Sequence, residues 1–180
     1  MVEHESASSD APFQKWFPLR VVDISEMPHP SKIADTSMQD VAFLASLAKK
    51  MVSLCMKNHG VGLAAVQCGI PLKLFITSID GLTFRCFFNM EYTSEEKKQD
   101  SLEGCLSIKD KKGNMRRFLV KRFNHANFSG KEILLYDTPP AIVEVKETFT
   151  GLFSVVCQHE IDHHNGILIS DHGKEVEVVN

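Results

Sequence analysis

The period of the hydrophobic positions changes along the chain, and the changes outline its elements. From Ser37 onward, Val41, Leu44, Leu47, Ala48, Met51 and Cys55 recur three and four residues apart; Ser37 with Asp40 resembles a capping box, and Gly60 follows the run. This spacing predicts an amphipathic helix packed on a sheet. After Pro71 the stretches Leu72 to Thr77 and Thr83 to Asn89 are rich in β-branched and aromatic residues and flank Asp80-Gly81, which predicts a hairpin. Phe118 to Phe123, Glu132 to Tyr136 and Ile142 to Phe149 read as further strands, with a Ser129-Gly130 turn and a Pro139-Pro140 break between them. Helical spacing returns after Gly151, where Leu152, Val155, Val156, His159, Ile161, Asp162 and His163 run to a stop signal at Asn165-Gly166. The expected fold class is α+β, a mostly antiparallel sheet packed against this histidine-bearing helix and the earlier amphipathic one.

Length and composition narrow the picture. With 180 residues, 43% of them hydrophobic, the chain is long enough for one sizeable core, so residues 13–180 are expected to form a single domain behind a loose polar arm of residues 1–12. The formal net charge of -3 provides no basic footprint for direct nucleic-acid binding. Five cysteines, Cys55, Cys68, Cys86, Cys105 and Cys157, make an odd count without close pairs, which fits a reducing compartment better than a disulfide framework. No apolar run is long enough to span a bilayer and the opening residues lack a signal core, so a cytoplasmic protein without membrane contact is expected.

The strongest chemical signal is His159-Glu160-Ile161-Asp162-His163. Residues four apart on a helix lie one above the other, so both imidazoles can reach one metal ion, and the neighbouring Glu160 can shuttle a proton for an activated water. An ordinary helix with two histidines and a solvated acidic face would show the same letters, so the reading needs a third ligand. His164, Asp171, His172 and Glu175 are available downstream, as in many metallopeptidases, and Cys105, preceded by the pliant Gly104, is the other choice. Alone, Cys105 also fits a small buried hydrophobe. Gly60 to Gln67 is a small-residue stretch that can pack on a substrate backbone and present the Gln67 amide, or simply link a helix to a strand.

Taken in order, Gly60 to Gln67, Glu103 to Ser107 and Gln158 to Gly166 resemble the peptide deformylases, whose patterns Gly-x-Gly-x-Ala-Ala-x-Gln, Glu-Gly-Cys-Leu-Ser and Gln-His-Glu-x-Asp-His-x-x-Gly are matched at every fixed position. The resemblance implies Cys105, His159 and His163 as ligands of one divalent ion, Fe(II) in the usual case, with zinc, nickel or cobalt able to take the same site, and a water in the open position. It implies Glu160 as general acid-base, and the Gln67 amide with the Leu106 backbone N–H as oxyanion donors. Val61, Gly62 and Gly104 would pair with the substrate backbone like an added strand, while Leu152, Val155 and Val156 would line the pocket for a methionine side chain. The activity so implied is removal of the N-formyl group from N-formylmethionyl nascent peptides during protein biosynthesis, releasing formate, by a protein expected to be a monomer. A metallopeptidase and a deformylase-like binding module without catalysis are the competing readings.

Some positions depart from the family's usual pattern. His164 stands where leucine is usual, and Lys109-Asp110 where a proline is common. Arg117 falls where many relatives have an arginine paired with the second pattern's glutamate, here Glu103, so a partly buried ion pair is expected between them. Glu175 to Asn180 reads as a short strand in place of the long C-terminal helix of some relatives, which leaves room for only weak ribosome contact.

Overall fold

The computed structural model describes residues 18–177, so the arm of residues 1–12 lies outside the described residues. The elements in chain order are α1 (Val41–Lys57), β1 (Gly62–Ala64), β2 (Leu74–Thr77), β3 (Arg85–Thr93), β4 (Gln99–Lys109), β5 (Met115–Arg122), β6 (His125–Leu134), β7 (Ala141–Thr150), α2 (Gly151–His164), α3 (Ile169–His172) and β8 (Lys174–Val176). The α+β reading holds: one sheet has the order β1-β2-β3-β6-β7 and the other β4-β5-β8, with every named strand pairing antiparallel.

Helix α1 buries Leu44, Leu47, Ala48, Met51 and Cys55 of the stripe its spacing predicts, together with Ala45, while Val41 is only half-buried. Its cap differs from expectation. Ser37 belongs to a separate 3-10 turn, Thr36–Met38, and its hydroxyl accepts from Asn89 Nδ2 at 2.9 Å. Asp40 caps the helix instead, its carboxylate accepting the Phe43 N–H at 3.0 Å.

Strand β2 is buried at all of its positions because both faces of the larger sheet are covered there. Leu74 and Ile76 face the cluster built with α1, whereas Phe75 faces the cluster built with α2. The β2–β3 hairpin is present, its Asp80 carboxylate accepting the Leu82 and Thr83 N–H groups at 2.8 Å each. The expected Ser129-Gly130 turn is absent: both residues lie inside β6, paired with Lys146 and Val145. Gly130 has a φ of 152° beside the β3 bulge, where an added Cβ would fall 2.8 Å from the Asn89 carbonyl oxygen and 2.9 Å from Met90 Cα. This glycine answers a close backbone approach, not a change of direction. Strand β4 has no counterpart among the strands expected from the sequence, because Asp100 to Gly104 carries too many polar and small residues to show an apolar period.

Each sheet presents one of its terminal strands to the same side, β1 from the larger sheet and β4 from the smaller. Both line one cleft of about 340 Å³, which α2 closes from below. No helix among the described residues is long and apolar enough to cross a membrane.

Candidate metal centre

Helix α2 begins at Gly151, whose φ of 59° lets β7 turn directly into the helix, and Gln158 staples it to the end of β5. The Gln158 side chain accepts the Phe123 N–H at 3.0 Å and donates to the Phe123 carbonyl at 2.7 Å. So fixed, the helix holds His159 and His163 on one face, with ring centroids 4.8 Å apart and planes at 85°.

Cys105 comes from β4 across the cleft. Its Sγ lies 3.4 Å from His163 Nε2, and ligand atoms of Cys105, His159 and His163 all fall within 4.8 Å of one another, each residue buried. The downstream alternatives are engaged elsewhere: the His164 imidazole faces the Leu74 carbonyl at 3.2 Å, Asp171 accepts the Leu168 N–H at 2.8 Å, Glu175 pairs with Arg116, and His172 lies 4.0 Å from Asp162. The unusual His164 is thus a core residue, tilted against the Phe75 ring at 5.9 Å. Burial pushes its pKa down to about 4, so it is neutral.

The centre's donor chemistry fits a divalent cation. Burial alone would lower the His159 pKa, but the Cys105 sulfur and the Glu103 carboxylate outweigh it and lift the group to about 10. The imidazole therefore sits between a sulfur and a carboxylate, a setting that favours positive charge and would suit a metal ion. His163, held well below its ordinary value by burial and by His159, keeps a neutral ring with a lone pair to give. Its Nε2 faces the cluster, while its buried Nδ1 has no hydrogen-bond partner among the described residues.

A buried ionic network stands behind the three residues. His159 Nδ1 meets Glu103 Oε2 at 2.9 Å, which turns Nε2 toward the cluster. Glu103 in turn takes Arg122 Nε at 2.9 Å and Nη2 at 3.1 Å, and Arg122 also pairs with Asp162. Burial would raise the Glu103 pKa; hydrogen bonds from His159 and Arg122 prevail and hold it at about 2. The expected Glu103–Arg117 pair is not formed. Strand parity decides this: Phe118, Val120 and Arg122 share the buried face of β5, while Arg117 is exposed on the other. The sequence reading gives Arg122 and Asp162 no part in this network, although an arginine in phase with Phe118 and Val120 is a usable signal.

Glu160 is buried beside the centre, and its Oε2 lacks a hydrogen-bond partner among the described residues. Burial raises its pKa to about 7, opposed chiefly by His159. Gly62 is required opposite it, since an added Cβ there would lie 2.9 Å from Val156 Cγ1 and closer still to the Glu160 carboxylate. Gln67 follows β1 in a 3-10 turn, accepts the Ala64 N–H at 2.9 Å, and donates through Nε2 to Cys105 Sγ at 3.3 Å. The β4–β5 register shifts between Gly104 and Lys109, leaving Leu106 outside the regular ladder. Val61, Gly62, Gly104, Leu106, Leu152, Val155 and Val156 all line the cleft with Gln67, Cys105, His159 and Glu160, while His163 sits deeper.

Residues 21–178 match the family model described as polypeptide deformylase. The chain is 32% identical over 134 residues to a peptide deformylase of Desulfotalea psychrophila, covering 72% of each chain. It is 33% identical over 128 residues to one of Heliobacterium modesticaldum, covering 71% of this chain and 76% of that one. Among solved structures, the peptide deformylase of Thermotoga maritima superposes with a TM-score of 0.68 at 26% identity, covering 86% of this chain and 96% of that one.

Proposed function

The chain belongs to the polypeptide deformylase family, and from that premise we propose that its cleft hydrolyses the formyl amide of N-formylmethionyl peptides through Cys105, His159, His163, Glu160, Gln67 and Leu106. The observation that carries this reading is the convergence of ligand atoms of Cys105, His159 and His163 within 4.8 Å beside a buried carboxylate oxygen that has no hydrogen-bond partner among the described residues. Cys105, His159 and His163 would hold a divalent ion, which would supply Lewis-acid polarisation of the formyl carbonyl and a water made more acidic. Fe(II) is the metal we propose for the native enzyme, since one sulfur and two imidazoles suit it; the same donors accept zinc, nickel or cobalt.

The chain's own groups account for the remaining work. The free edges of β1 and β4 take the peptide as an added strand, with Val61, Gly62 and Gly104 at the contact. Leu152, Val155 and Val156 form the apolar wall against which the methionine side chain packs. Glu160 accepts a proton from the attacking water, and a pKa lifted toward neutrality suits it to hand that proton on. The Gln67 amide and the Leu106 backbone N–H donate to the oxyanion as the carbon becomes tetrahedral. The C–N bond then breaks, Glu160 returns the proton to the departing amine, and formate leaves.

A metallopeptidase would give Gln67 and Cys105 no such role, and a binding module would not need Glu160. We further propose a monomer acting in the cytoplasm on nascent peptides, with weak ribosome contact at most. The test is formate release from formyl-Met-Ala-Ser by anaerobically prepared protein loaded with Fe(II) or Ni(II). Activity is expected, falling by about 10²-fold or more in Glu160→Ala. No release by folded, metal-loaded protein would overturn the proposal.

A further inference from the structure

Arg117 takes no part in the hydrolysis itself, yet it stands on the wall of the same cleft. Its guanidinium lies across Gly104, where an added Cβ would sit 2.8 Å from Arg117 Nη1. The neighbouring Arg116, on the opposite parity of β5, is committed to Glu175 at 2.7 Å. Arg117 has no carboxylate partner among the described residues. The carboxylates that line the cleft are Glu103 and Glu160, both buried, and Glu103 is already matched by Arg122 and His159. The cleft rim therefore presents an exposed, uncompensated cation beside the strand edge that a peptide backbone would occupy.

We infer that Arg117 is a specificity-determining residue that favours peptides bearing a carboxylate side chain at the second or third residue, the formylmethionine being the first. This rests on the deformylase reading. A peptide laid along β4 passes Gly104, and its successive side chains point alternately toward and away from the wall. The side chain at the second or third residue is then within the field of the guanidinium, and an acidic one gains a planar, two-point partner. A basic side chain there meets a like charge. The pair is solvent-exposed, so its effect is modest and salt-sensitive.

The experiment compares kcat/KM for formate release from formyl-Met-Ala-X and formyl-Met-X-Ser, with X as Glu, Gln or Lys, at low and high salt. Wild type is expected to prefer Glu to Lys by about threefold or more at one of the two positions, with the preference fading in salt. Arg117→Gln should bring that ratio near one and Arg117→Glu should invert it. Because each ratio is taken within one protein, partial misfolding of a variant does not disturb it. Turnover of all peptides with the same ratios in wild type and Arg117→Glu would overturn this inference alone. No formate from any peptide would overturn the deformylase reading and the inference with it.

Discussion

Helix α2 separates two buried regions of opposite chemistry. On one flank Phe149 stacks on Phe128 at 4.7 Å, meets Phe153 edge-on at 4.7 Å and tilts against Phe87 at 5.8 Å. On the other, Arg122, Glu103, Asp162 and His159 form a closed ionic network, with Arg122 and Glu103 both under a tenth exposed. The aromatic flank is held by burial and dispersion, which are non-directional and degrade gradually. The ionic flank is tolerable only while every charge has its partner, because an unpaired ion in such a place is strongly penalised. The difference shows why the helix needs both: one flank seats it on the sheet, and the other sets the angle of the His159 imidazole.

The sharpest way to break the ionic flank is Arg122→Met. It leaves Glu103 and Asp162 buried without a cation, and a loss of about 3–5 kcal/mol is expected in chemical denaturation. Metal affinity, followed by titration, should also weaken about 10–100-fold as His159 loses its fixed partner. A variant that loses stability but binds metal as before would show that the network is scaffolding alone.

Phe149→Leu probes the aromatic flank. The lost ring contacts should cost about 1–2 kcal/mol, with metal affinity untouched. Equal damage to metal binding would mean that the two flanks are not independent.

The smallest effect concerns His164, the imidazole on the sheet-facing side of α2. Its folded pKa is depressed to about 4 from an ordinary value of 6.5, so below pH 6.5 the unfolded chain binds a proton that the folded chain refuses. Stability contributed by the neutral ring is therefore present above that value and lost as pH falls toward about 4. Between pH 7 and 5.5 the wild type should lose about 1 kcal/mol more than His164→Gln, as read from denaturation midpoints at each pH. Parallel pH profiles would refute the buried, neutral assignment.

Much of the architecture is legible in the chain. The α1 stripe, the β2–β3 hairpin and the α2 histidines depend on contacts within a few residues, so their periods survive in the sequence. Strand β4 and the run of β6 through Gly130 are not legible, since each is imposed by a neighbouring strand: β4 by β5, and Gly130 by the β3 bulge. His164 is an anomaly beside the metal residues until β2 supplies its acceptor.

The sequence by itself determined which side chains are available to a metal ion and that His159 and His163 share a helical face, because a 3.6-residue period is a local property of the backbone. Only the tertiary structure decided that Cys105 completes the group and that Arg122, not Arg117, neutralises Glu103. Those choices join residues far apart in the chain. They come from the phase of β5, which turns Arg122 inward with Phe118 and Val120 and leaves Arg117 at the cleft rim, free to meet whatever enters.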